Sequence, residues 1–71
     1  MTVRVHAEWC LPFDRKTAEE LGVIIHYLVY YCHGIEGDAE GVVLECESIP
    51  ENEIEYLKSK LKHINLWTEE E

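Results

Sequence analysis

No lysine or arginine occurs in the twenty residues from Glu36 to Glu55, while Glu36, Asp38, Glu40, Glu45, Glu47, Glu51, Glu53 and Glu55 all fall inside that window. A surface built from it repels phosphate. Direct binding to nucleic acid or to an anionic membrane is therefore not expected, and the natural counterpart is a basic protein or a cation. Long apolar runs are also missing: the longest, Val23 to Cys32, has His26 inside it and is too short to span a bilayer. No succession of charged, apolar and small residues of the secretory-leader kind opens the chain. Cysteine is sparse, at three, and none has the Cys-x2-Cys spacing that small zinc domains use. An odd number cannot all pair within one chain, so a reducing cytoplasm is the expected compartment, with one intramolecular bridge left open. Also lacking is a complete catalytic, nucleotide or metal motif, and the expectation is a protein without enzymatic activity, cofactor or resident metal.

What is present suffices for a fold. A hydrophobic fraction of 46% is far too high for a disordered acidic tail, and 71 residues make one domain, residues 1–71. A core this small leaves modest stability, and pairing with a second copy or a partner is a natural way to bury more apolar surface. The formal net charge of −9 keeps the molecule soluble through self-repulsion.

Val3, Val5 and Ala7 alternate with Arg4, His6 and Glu8, the period of a half-buried strand, expected over Thr2 to Trp9. Pro12 and Asp14 punctuate the chain, and Thr17-Ala18-Glu19-Glu20 has the spacing of a capping box, so a helix starts between Asp14 and Thr17. Ala18, Leu21, Ile25, Leu28 and Cys32 keep helical spacing as far as Gly34. The β-branched and aromatic content of Val23 to Tyr31 argues instead for a helix over about 15–27 and a strand over about 29–36. Gly37-Asp38-Ala39-Glu40-Gly41 reads as a hairpin connection into a strand over 41–48. Ser48-Ile49-Pro50-Glu51 is a second capping-box pattern, opening a helix from Pro50 to Lys62 with an apolar stripe of Ile54, Leu57 and Leu61. His63 to Thr68 supplies an edge strand, and Glu69 to Glu71 is expected to fray. The order β-α-β-β-α-β predicts an α+β two-layer sandwich of the ferredoxin-like kind, with two helices on one face of a three- to four-stranded antiparallel sheet. That arrangement serves so many functions that it implies none.

Ala7-Glu8-Trp9-Cys10-Leu11-Pro12-Phe13 resembles the active-site segment of thioredoxins, in which a strand delivers Trp-Cys-x-Pro-Cys to a helix N-terminus. The resemblance covers seven residues and implies a nucleophilic thiolate at Cys10, favoured by the helix dipole. Phe13 stands where the family keeps its second cysteine, so the implied chemistry is of a one-thiol type. A metal reading uses Cys32 and Cys46 facing each other across the hairpin, with His6 or His33 as a third ligand.

Tyr27, Tyr30, Tyr31, Tyr56, Trp9 and Trp67 are many amphipathic rings for so small a core, and some must reach the surface. The leading expectation is therefore a non-enzymatic interaction protein that binds, and inhibits or regulates, a basic protein partner, with a handler of nucleic acid the obvious candidate. Its binding residues are Glu36, Asp38, Glu40, Glu45, Glu47, Glu51, Glu53, Glu55, Tyr30 and Tyr31. Two alternatives stay open: a homodimeric ligand- or metal-sensing module using Cys32, Cys46 and His33, and a one-thiol redox protein using Cys10.

Overall fold

A computed structural model describes residues 2–70. It comprises β1 (Val3–Trp9), α1 (Arg15–Leu28), β2 (Cys32–Gly37), β3 (Gly41–Cys46), α2 (Glu51–Lys60) and β4 (Ile64–Glu70). The four strands form one antiparallel sheet in the order β2-β3-β1-β4. The alternation in β1 decides which side of that sheet is covered. Val3, Val5, Ala7 and Trp9 are buried, while Arg4, His6 and Glu8 face the other way. Leu44 of β3 lies opposite Val5, and Leu66 of β4 lies opposite Ala7. These side chains join Ile24 and Leu28 of α1 with Ile54 and Leu57 of α2 in a single core, so both helices pack against one face.

α1 starts where the sequence suggests but is capped differently. Asp14 occupies the cap, and its Oδ1 accepts from the Thr17 amide at 2.9 Å and the Thr17 hydroxyl at 2.8 Å. Thr17 is thus the buried third residue of the first turn and not the cap. These two bonds hold the Asp14 carboxyl below its ordinary pKa. Asp14→Ala is expected to lower the thermal midpoint and Asp14→Asn to recover most of the loss, as read by circular dichroism. The β-branched run does not stop the helix, because Ile24 and Leu28 sit one turn apart on the buried stripe and tertiary burial outweighs propensity. After Leu28 a tight turn, with the Tyr31 amide donating to Leu28 O at 2.9 Å, delays β2 to Cys32. There Cys32 lies opposite Cys46 and the two form a disulfide.

Three further expectations are corrected at the second helix and the last strand. The Ser48 capping box does not form: Pro50 holds the cap position without a side-chain bond, and the first turn closes by Glu53 N–H donating to Pro50 O at 3.0 Å. α2 then stops at Lys60: Leu61 turns extended, its amide still donating to Lys58 O at 3.3 Å, and the amides after it are claimed from outside the helix. Glu20 of α1 accepts from the amides of Lys62 (3.0 Å), His63 (2.9 Å) and Ile64 (3.2 Å) and lies 2.6 Å from His63 Nδ1. Burial pushes the Glu20 carboxyl up, but the hydrogen bonds from His63 and Lys62 outweigh it and hold the group below its ordinary value. β4 continues through Glu70 instead of fraying at Glu69, since Arg4 and Val3 of β1 lie opposite Glu69 and Glu70. Glu71 lies outside the described residues.

Candidate functional site

The sheet face turned away from the helices is acidic because of register. Across β2-β3-β1, Glu36 lies beside Val43, which lies beside His6; Gly34 lies beside Glu45, which lies beside Arg4. On the far side, Asn65, Trp67 and Glu69 of β4 lie opposite Glu8, His6 and Arg4. The carboxylates Glu8, Glu36, Glu45 and Glu69 therefore share this face, with Arg4 placed between Glu45 and Glu69. The other cationic residues, Arg15, Lys16, Lys58, Lys60 and Lys62, lie in or beside the helices. At the centre His6 stacks on Trp67, with ring centroids 5.0 Å apart and planes 4° from parallel. His6 Nε2 lies at ion-pair distance, 2.8 Å, from Glu69 Oε1, and this buried atom makes no hydrogen bond.

At one end of this face the β2-β3 hairpin borders an open cavity of about 370 Å3, lined by Glu8, Glu36, Asp38, Glu40 and His6. The turn is rigidly built. Asp38 Oδ1 accepts from the amides of Glu40 (2.9 Å) and Gly41 (3.2 Å), and the Asp38 amide donates to Gly41 O at 2.9 Å. Trp9 docks the turn onto the end of β1: its indole Nε1 donates to Ala39 O at 2.8 Å and its amide to Glu40 O at 3.0 Å. Both hairpin glycines are required by close approach. A Cβ at Gly41 would meet Ala7 O at 2.7 Å, and one at Gly37 would meet Val42 Cγ1 at 2.5 Å.

The residues singled out from sequence do not form one surface. Glu36, Asp38 and Glu40 converge on the cavity, and Glu45 shares the open face. Glu51 and Glu55 lie elsewhere, beside Val3, Lys58, Thr68 and Glu70, at the opposite end of β1 and on the helix side. Glu53 turns to a third environment, where it accepts a hydrogen bond from Tyr27. That bond, with burial adding to it, pushes the Tyr27 hydroxyl pKa up to about 12. Tyr27 stacks on Tyr56, centroids 5.5 Å apart, and Lys60 Nζ lies 5.3 Å from the Tyr56 ring centre. Glu47 is exposed just beyond β3, its amide donating to Tyr31 O at 3.2 Å. Tyr31 packs against the core, whereas Tyr30 is 91% exposed.

The sequence does not single out Glu8 or Glu69, and it offers His6 only as a third metal ligand and Trp67 only as one of six amphipathic rings. The alternation of β1 already put His6 and Glu8 on the uncovered face, but only cross-strand register aligns them with Glu36 and Glu69. Cys10 is exposed in the segment before Asp14 and so precedes the helix instead of sitting at its N-terminus. Cys32 and Cys46, offered as metal thiolates, are joined to each other, and no group of three or more His, Cys, Asp or Glu among the described residues is arranged to hold a metal. Among the described residues no helix is long and apolar enough to cross a membrane. Comparison of the chain with protein-family models, curated proteins and solved structures finds no match.

Proposed function

We propose that this chain is a small non-enzymatic interaction protein that holds a basic segment of a protein partner against the open face of its sheet, and thereby inhibits or regulates that partner. The observation that carries the reading is charge segregation. Carboxylates of β1, β2 and the β2-β3 turn meet around a single cavity, Glu45 and Glu69 lie farther along the same face, and the lysines lie in or beside the helices. A turn held by Trp9 and Asp38 fixes the backbone that carries Glu36 and Glu40, which lowers the ordering cost on binding and favours affinity. A partner that normally grips a phosphate backbone has the matching charge.

The same proposal narrows the contact set to Glu8, Glu36, Asp38, Glu40, Glu45 and Glu69. Glu51 and Glu55 become helix-surface residues near Lys58, and Glu53 a partner of Tyr27. The fold we read as ferredoxin-like, for which the chain order and the strand order β4-β1-β3-β2, taken from the other edge, are the support. A cytoplasmic location rests on the unpaired Cys10 and is opposed by the Cys32–Cys46 bridge; the mass of protein alkylated in its native compartment decides between them. No observation favours the one-thiol or the metal-sensing alternative.

The test uses an arginine-rich peptide as probe. The pair Glu36→Lys with Glu40→Lys is expected to weaken its binding about tenfold or more, and added salt to weaken binding to the unaltered chain. The pair Glu51→Lys with Glu55→Lys is the control and is expected to change little. Equal losses from the two pairs, or binding indifferent to salt, would remove the basis for the reading.

A further inference from the structure

The Cys32–Cys46 bridge ties the sheet at its least buried element. Among the described residues, β2 is the one strand or helix that buries none of its members: all are half-buried or exposed. The core is built on β1, β3, β4 and both helices, and Cys32 only packs against its margin. Pairing is also interrupted where the bridge sits. The β2-β3 ladder is regular from Gly34 to Gly37, but its register shifts between Cys32 and Gly34 and leaves His33 unmatched. Cys46, on the other side of the bridge, is fully buried in the core, so its sulfur is sealed from solvent. Cys32 instead lines an open apolar groove of about 230 Å3 with Ile25, Val29 and Ile35, so the bridge can be approached from the Cys32 side.

We infer that this bridge is a thiol–disulfide exchange site for a dithiol reductant, and that its opening releases β2 while the rest of the fold stands. The attacking thiolate enters by the groove and bonds to Cys32 Sγ. The bond to Cys46 Sγ breaks, and that sulfur leaves as a thiolate and takes up the proton given up by the attacking thiol. The reductant's second thiol then attacks the reductant sulfur held on Cys32 and frees Cys32 in the same way. Two electrons and two protons pass to the protein, and the dithiol becomes a disulfide. Cys46 stays in the core as a small apolar residue, the usual state of a buried free cysteine. The released segment is bounded. Leu28, fully buried, holds the chain on one side, and on the other the turn stays pinned because Trp9 donates to Ala39 O and Glu40 O. Between these anchors, opening the bridge leaves β2 to its ladder with β3 and to the bond from the Glu47 amide to Tyr31 O. β2 carries Glu36, so release withdraws one carboxylate from the acidic cavity while Asp38 and Glu40 stay. That consequence for a basic partner rests on the function proposed above, and the release itself does not.

The test treats the full chain with dithiothreitol at neutral pH and without denaturant. One portion is quenched in acid, freed of reductant and labelled with N-ethylmaleimide in denaturant, and its mass is measured. Without dithiothreitol one label is expected, on Cys10; after it, all three cysteines are labelled. A second portion is left unlabelled for amide exchange in the reductant. Protected amides of β2 are expected to exchange about a hundredfold faster than in the bridged chain, the factor that follows from opening a loop of 14 residues. Those of β1, β4 and the 38–41 turn are expected to keep their protection. Cys32→Ser with Cys46→Val should show the reduced pattern with or without dithiothreitol, and Cys10→Ser should respond as the unaltered chain does. A bridge that takes no label until denaturant is added during reduction overturns the proposal, because it is closed to exchange in the folded protein. A reduced chain in which β2 keeps its protection overturns it too, since something else then holds the strand. Exchange that rises equally in β1 and β4 does the same, by making the bridge a staple of the whole fold. None of these readouts uses a basic partner, so they stand whether or not an arginine-rich peptide binds the acidic face.

Discussion

Trp9→Ala is expected to cost about 3–5 kcal/mol, the range for deleting a buried large aromatic side chain. A domain of this size holds roughly 4–10 kcal/mol in all, so the variant should lose about half of its stability and melt at a much lower temperature. The ring is nearly buried beside Ala7 and Ile64 in the core, and it tilts against Phe13 at a centroid distance of 5.1 Å. Trp9→Phe separates packing from anchorage. It keeps most of the apolar volume but removes the bond to Ala39 O, and its expected cost is about 1 kcal/mol. Amide exchange around the 38–41 turn should then accelerate more than exchange in α2. If exchange in the turn stays unchanged in Trp9→Phe, the indole is not what holds the acidic hairpin in place.

Glu20→Ala is expected to be the next most damaging change, at about 2 kcal/mol, because it strands the Lys62, His63 and Ile64 amides and the His63 ring together. Glu20→Gln keeps an acceptor oxygen but loses the charge, and should fall between Ala and the unaltered chain. The pH dependence has a definite sign. The folded carboxyl titrates below the ordinary glutamate value of 4.5, so its stabilisation is complete above that value and is lost as pH falls through the lower folded value. Denaturant midpoints measured at neutral pH and in this acid range should converge between the unaltered chain and Glu20→Gln. Midpoints that stay equally far apart at both pH values would show that the charge is not responsible.

The parts of the fold that can be read from sequence are those where a local pattern and the burial agree. Val3, Val5 and Ala7 mark β1 because each apolar residue of the alternation enters the core. The failures are cases where several local patterns compete and a distant residue decides. Thr17 and Asp14 both have capping chemistry, and Asp14 takes the cap. α2 ends two residues short of the expected Lys62: Leu61 turns extended, and Glu20, distant in sequence, claims the amides from Lys62 onward. The site was half legible for a related reason. Acids spaced two apart share a face in an extended strand but diverge on a helix. Glu36 and Glu45 both lie on the open face of the sheet, whereas Glu51 and Glu55 lie near Lys58 and Glu53 turns to Tyr27. Glu8 and Glu69 join the cluster only through pairing of strands far apart in the chain, which periodicity cannot convey.

The sorting of charge between the two layers has a kinetic consequence. With both signs among the helices and carboxylates dominating the uncovered side of the sheet, the molecule is electrically lopsided. Drifting toward a cationic target, it experiences a torque that swings its sheet forward before contact, so fewer encounters are wasted on wrong orientations.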